Sequence, residues 1–195
     1  MTKFILIRHG KAEMSGEDHL RKLDDDGLVQ ANSLCKKLLN IFTGNVKIYS
    51  SPFVRAVQTI KPFADKIGQE IKLCEELKEI KMGKSEKLSK HEIIKKMWED
   101  ENFKTENGVS QSENYKDIKP FLSNLFENNN QDNVILVTHG NLLGIIIKHY
   151  FKKNFGFDEW KIMSMPDLYE LSYEADKEVS LKRNVNDIEK IFYIK

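Results

Sequence analysis

Lys3-Phe4-Ile5-Leu6-Ile7 runs without a break into Arg8-His9-Gly10. Four consecutive apolar residues, two of them isoleucine, read as a short strand buried in a sheet, and the polar triplet as the turn that ends it. The same order recurs late in the chain. Val134-Ile135-Leu136-Val137 is followed by Thr138-His139-Gly140. Each segment sets a His-Gly pair where a strand stops. Glycine there permits a positive φ and lets the backbone come close to a ligand.

Between and beyond these two strands the periodicity alternates. Leu28, Ala31, Leu34, Cys35, Leu38 and Phe42 recur at helical spacing behind the acidic start Asp24-Asp25-Asp26. Residues 46–49 read as a strand. Pro52 then opens a helix that runs towards Gly68 and is kinked at Pro62. Residues 71–73 suggest a third strand. Ser89 with Glu92, and Ser110 with Glu113, are capping-box pairs before helices, the second interrupted by Pro120. Residues 142–151 read as a helix. Residues 169–173 with 179–182 suggest a hairpin, and 190–194 a last strand. The Asn-rich stretch 128–131 is a surface loop.

Strands alternating with helices predict an α/β fold, a three-layer α/β/α sandwich whose central sheet is mostly parallel. No repeat or flexible linker divides the chain, so one domain is expected over residues 1–195, with a substrate-facing insertion at about 78–112. In such sheets ligands bind beyond the carboxyl ends of the strands.

Composition narrows the function classes. The chain has 195 residues, 40% apolar and 31% charged, within the range of a globular domain. Its 31 Lys and Arg against 30 Asp and Glu give a net charge of +1, which argues against a dedicated nucleic-acid binder. Arg8 and His9 interrupt the first apolar run too early for a signal peptide, and no apolar stretch approaches membrane-spanning length. A cytoplasmic protein without membrane partners is expected. Cys35 and Cys74 read as buried free thiols. No His, Cys and Asp cluster has metal-ligand spacing, so neither metal nor cofactor is expected.

The strand ends carry the chemistry. Ser50-Ser51-Pro52 follows the second strand, and Arg55 lies one turn into the next helix. A first turn there would offer free N–H groups to an anion. A neutral imidazole can attack phosphorus without a separate base, its other nitrogen held by a backbone carbonyl. Arginine forks, a second histidine and helix-terminal N–H groups can hold the charged equatorial oxygens of a transferring phosphoryl group. Arg8, Arg55 and the two histidines fit these roles. Beyond the neighbouring Arg8, spacing does not say whether His9 or His139 attacks. The leaving oxygen needs a proton, and one carboxyl can donate it and later deprotonate water. Glu79, in Leu77-Lys78-Glu79, is one candidate, and spacing alone does not choose it over Glu75, Glu76 or Glu86.

Taken together these residues resemble the histidine phosphatase superfamily, also called the phosphoglycerate mutase-like family. Arg8-His9-Gly10, then Leu23, Gly27 and Gln30-Ala31, then Ser50-Ser51-Pro52 with Arg55-Ala56 and Gln58-Thr59, then Leu77-Lys78-Glu79 with Gly83, and lastly Thr138-His139-Gly140 run in family order. The resemblance covers residues 3 to 150. It implies His9 as nucleophile, Arg8, Arg55 and His139 as the phosphate pocket, Glu79 as proton donor, and a phosphoglycerate mutase-like fold. Lys11 stands where many members carry Glu or Gln. The Gly-Glu-Ser element is degraded to Gly108-Val109-Ser110, and Gly83 is followed by Lys84-Ser85-Glu86-Lys87. These departures concern substrate choice.

The resulting expectation is a metal-independent phosphatase of the short branch, acting on a small phosphorylated substrate. The alternatives are phosphoglycerate mutase-type transfer, a phosphohistidine-protein phosphatase, and a non-catalytic phosphate-binding module. Seven lysines against three glutamates between positions 78 and 96 could draw in an anion, or form a solvated lid. Met97 and Trp98 read as core. His19, His91 and His149 read as ordinary histidines. Oligomeric state is left open.

Overall fold

The computed structural model describes residues 3–42, 44–129, 132–173, 179–185 and 188–192. Seven strands form one sheet in the order β3-β2-β4-β1-β5-β6-β7. They are β1 (Lys3–Arg8), β2 (Val46–Ser50), β3 (Ile71–Leu73), β4 (Asn133–Thr138), β5 (Asp167–Tyr173), β6 (Val179–Val185) and β7 (Ile188–Phe192). The pairings among β3, β2, β4 and β1 are parallel, and those from β1 through β5 and β6 to β7 are antiparallel. The sheet is therefore mixed. Its parallel half bears the two His-Gly turns. The expected hairpin is the β5–β6 pair, and the expected last strand is β7, though position 194 lies outside the described residues, as do 130 and 131 of the Asn-rich loop.

Alternation along β1 builds two cores at once. Phe4 and Leu6 join Leu122, Phe126, Leu142 and Ile146, while Ile5 and Ile7 join Leu38, Ile60 and Phe63. Successive side chains of a strand point to opposite faces, so an unbroken apolar run is what a centre strand between two helical layers needs. The first layer is α1 (Asp25–Ile41) and α2 (Val54–Ile67). The second contains α3 (Lys90–Glu99), α4 (Gln111–Asn128), α5 (Gly140–Ile145) and α6 (Phe157–Lys161). Met97 and Trp98 lie in the second core, as expected.

Local signals mostly hold. Asp24 caps α1 by accepting from the Gly27 N–H at 2.8 Å. Both capping boxes form, Ser89 with Glu92 and Ser110 with Glu113. Four expectations need correction. Helix α2 begins at Val54, so Pro52 precedes its cap residue Phe53 instead of opening the first turn. Pro120 does not interrupt α4; it sits on the solvent face, where the carbonyl it leaves unbonded is not buried. The helix after β4 starts at Gly140 and turns into a π-helical stretch over Ile146–Tyr150. Cys35 and Cys74 are free but only half-buried.

Candidate active site

Parallel register places the two His-Gly turns side by side. Arg8 pairs with Thr138 across β1 and β4, so His9 and His139, one residue on, meet at the carboxyl ends of these two central strands. Their ring centroids are 5.0 Å apart and the rings are edge-on. The His9 amide donates to the Thr138 carbonyl at 3.0 Å. His9 Nδ1 lies 2.7 Å from the Gly10 carbonyl, which can only accept, so the proton sits on Nδ1. Nε2 keeps its lone pair and accepts from Arg55 Nε at 3.1 Å. Burial, followed by the nearby charges of Arg55, Arg8 and Arg21, pushes the His9 pKa down to about 3. The imidazole is therefore neutral at physiological pH, with its unshared pair at the cavity floor.

Second-rank contacts hold this turn. The Gly10 amide donates to Thr59 Oγ1 at 2.9 Å, and that hydroxyl donates to the Arg55 carbonyl at 2.7 Å. The Lys11 and Leu23 amides donate to the side-chain oxygens of Gln30 and Gln58. A Cβ at Gly27 would collide with the Lys11 carbonyl, so α1 approaches the turn at a distance only glycine allows. Gln30, Gln58, Thr59 and Gly27 thus scaffold the site without lining it. Neither Gly10 nor Gly140 has a positive φ, contrary to the first reason offered for them. At Gly140 the requirement is close approach: a Cβ there would lie 3.1 Å from Arg8 Nε and 3.4 Å from Trp160 Nε1.

Arg55 is largely buried and forms part of the floor. Besides His9, it donates to the backbone carbonyl of Asp18 and, at 3.3 Å, to the Asp18 carboxylate. Arg21 binds the other carboxylate oxygen of Asp18. Burial works against the Asp18 charge, but the two guanidiniums outweigh it and hold its pKa below the usual value. Phe53 supports both Arg55, whose guanidinium carbon is 4.9 Å from the ring centroid, and His139, ring to ring at 4.9 Å. On the opposite side Arg8 Nη1 donates to the carbonyls of Met163 and Ser164 at 3.1 and 3.4 Å.

Glu79 closes the ring of candidates. Its carboxylate accepts from the backbone N–H groups of Ile80, Asn141 and Leu142 at 3.0, 3.2 and 3.1 Å, and from the Asn141 side chain at 3.3 Å. Asn141 and Leu142 belong to the first turn of α5, so a side chain occupies that helix start. Burial raises the Glu79 pKa despite these bonds and the neighbouring Arg8 charge. The start of α2 is also engaged, because the Val54 amide donates to the His19 carbonyl at 3.1 Å. Of the helix-terminal N–H groups anticipated after Ser51, that of Val54 is thus taken up within the protein.

A cavity of about 970 Å³ opens over these groups. Arg8, His9, Arg55 and Glu79 line it, as do Lys81, Lys84 and Lys90 from the variable segment. His139 is fully buried and sits behind His9. Its Nε2 lies 2.8 Å from Ser51 Oγ, and its Nδ1 has no partner. Burial, then the charges around it, holds the His139 pKa well below its usual value. Asp18, Arg21, Phe53, Asn141 and Trp160 are lining residues that sequence reasoning did not single out. Only Phe53 carried a signal, its place in the Ser-Ser-Pro-Phe turn. Among the described residues, no group of three His, Cys, Asp or Glu could hold a metal, and no helix is long and apolar enough to cross a membrane.

Comparison with known proteins shows the family and the fold. Residues 4–186 match the family model of the histidine phosphatase superfamily, branch 1. A candidate phosphoserine phosphatase 2 of Hydrogenobacter thermophilus is 27% identical over 162 residues, covering 75% of this chain and 77% of that protein. A solved phosphoserine phosphatase of Entamoeba histolytica, in complex with 3-phosphoglyceric acid, superimposes with a TM-score of 0.76 at 24% identity, covering 96% of this chain and 98% of its own. A mycobacterial glucosyl-3-phosphoglycerate phosphatase with inorganic phosphate gives 0.73 at 18%, with 96% and 98% covered.

Proposed function

The chain belongs to the histidine phosphatase superfamily, and from that premise we propose that it is a phosphatase that hydrolyses small phosphomonoesters through a phosphohistidine on His9, without a metal. The observation that carries this reading is the His9 ring: neutral, its proton fixed on Nδ1 by the Gly10 carbonyl, its Nε2 lone pair at the cavity floor.

The steps follow from the groups present. His9 Nε2 attacks phosphorus and the ester P–O bond breaks. The Glu79 carboxyl, kept protonated more readily by burial, gives its proton to the leaving oxygen. Phosphorylated His9 then carries the phosphoryl group on Nε2 and its proton on Nδ1, a cationic ring held by the Gly10 carbonyl. Water attacks phosphorus, the Glu79 carboxylate takes the water proton, and the P–N bond breaks. Inorganic phosphate leaves and neutral His9 returns.

Arg55 donates to Nε2 in the structure and must release it before attack. It is then free to follow the phosphoryl oxygens, with Arg8 opposite. We assign His139 to the same oxygens, because its unpartnered Nδ1 is the one polar atom of that ring without a bond. The substrate-facing part is residues 78–112, which bring Lys81, Lys84 and Lys90 to the outer wall. We propose substrates of the phosphoserine or phosphoglycerate kind, from the activities and bound compounds of the relatives named above, and a cytoplasmic setting.

Turnover of para-nitrophenyl phosphate in excess chelator, wild type against His9→Ala, tests the proposal. The variant is expected to lose at least about a thousandfold in kcat. Equal turnover in the two proteins removes the nucleophile assignment, and loss of wild-type activity in chelator removes metal independence.

A further inference from the structure

Arg8 reaches the cavity with one corner of its guanidinium already committed. Nη1 donates to two consecutive carbonyls, Met163 and Ser164, in the segment between α6 and β5. Loop carbonyls orient a side chain only if the loop itself is fixed. Two buried side chains hold it, one by a bond just before the accepting pair and one by a bond between its two carbonyls. Upstream, Arg183 Nη2 donates to the Ile162 carbonyl at 2.7 Å. Between the two carbonyls, the Ser164 amide donates to Asp167 Oδ2 at 3.2 Å.

The two pinning side chains also bind each other. Arg183 Nε lies 3.2 and 3.1 Å from the two Asp167 oxygens, and Nη2 lies 2.6 Å from Oδ2. The Asp167 side chain is fully buried and that of Arg183 is 8% exposed. The Leu168 amide and the Tyr169 hydroxyl complete the Asp167 shell. Neither member of the pair lines the cavity.

We propose that Asp167 and Arg183 are positioning residues for the reaction, which act by clamping residues 162–164 so that the Arg8 guanidinium is presented to the substrate phosphate in one orientation. This rests on the reading of Arg8 as a phosphate ligand. A buried ion pair is poor evidence for stability, because desolvation offsets much of the attraction. The β5–β6 register is already set by backbone pairing, with Tyr169 opposite Arg183. What the pair adds is the grip on Ile162 and Ser164. An arginine that offers its donors in a fixed fork gains most from such preorganisation.

The test is inorganic-phosphate binding by titration calorimetry, with urea midpoints on the same samples. The proteins are wild type, Asp167→Asn, Arg183→Lys, the paired replacement Asp167→Leu with Arg183→Met, and each of these combined with Arg8→Ala. Each clamp variant is expected to weaken phosphate binding about fivefold, and to add nothing once Arg8→Ala is present, as for residues in one network. If Asp167→Asn fails to fold, Arg183→Lys and the paired apolar replacement carry the measurement, since neither leaves a buried carboxylate or charge without compensation. A lowered urea midpoint with unchanged phosphate affinity overturns the proposal and marks the pair as purely structural. So does a loss that persists undiminished in the Arg8→Ala background. If Arg8→Ala alone leaves phosphate binding unchanged, the ligand reading of Arg8 falls and this proposal with it. If Arg8→Ala weakens binding while the clamp variants do not, only this proposal falls.

Discussion

The floor and the outer wall of the cavity are built on opposite terms. On the floor, Arg8, His9, Arg55 and Glu79 each spend donors or acceptors on the protein before any ligand arrives. On the wall, Lys81, Lys84 and Lys90 are exposed and form no ion pair among the described residues. Other lysines do pair, for example Lys11 with Asp24 and Lys148 with Glu101. A preorganised floor can favour one charge distribution strongly, since little is left to reorganise. A wall of solvated ammonium groups attracts anions over distance and discriminates weakly. On the proposed mechanism, the difference gives bond-making to the floor and encounter with substrate to the wall.

Perturbing the floor should therefore cost far more than perturbing the wall. Glu79→Gln keeps the shape and removes the proton, and is expected to lower kcat about a hundredfold with alkyl phosphates. The loss should shrink with para-nitrophenyl phosphate, whose leaving oxygen needs no proton; an equal loss with both esters denies Glu79 the acid role. The triple variant Lys81→Ala, Lys84→Ala, Lys90→Ala should raise KM about threefold at low salt and leave kcat alone. Its KM should also lose its salt dependence, in keeping with a screened attraction. A fall in kcat of the Glu79→Gln size would move the wall into the chemistry and dissolve the contrast.

Acid should separate the two regions by a smaller margin. The folded-state pKa of His9 is depressed to about 3 from 6.5, so the unfolded chain binds this proton first. Wild-type stability therefore falls as pH drops from 6.5 towards 3, because protonation favours the unfolded state. His9→Gln removes that proton site and should flatten the decline of the urea midpoint over this window. The three wall lysines should not change its slope.

Much of the floor was legible because strand periodicity is local. The apolar runs before Arg8-His9-Gly10 and Thr138-His139-Gly140 end at a place set by the β period, and parallel register then joins them. Glu79 was less legible, since nothing in the spacing of four nearby glutamates says which one meets the first turn of α5. Asp18 and the Asp167–Arg183 clamp were not legible at all. Arg55 meets Asp18 from 37 positions away, and Arg8 meets the Met163 carbonyl from 155, pairings that only the closed sheet creates. The wall was visible as a lysine excess, but its orientation depends on how residues 81–90 cross the sheet edge. Pro52 misled because a proline two residues early has the same local signature as one at the first helical position.

Glu79 also stops the first turn of α5, whose opening residues follow His139 directly. A carboxylate accepts from those amides better than the neutral acid does, so each proton it takes up or gives away loosens or tightens the backbone that carries the second histidine. The bookkeeping of protons and the stiffness of that turn are thus written on the same two oxygens.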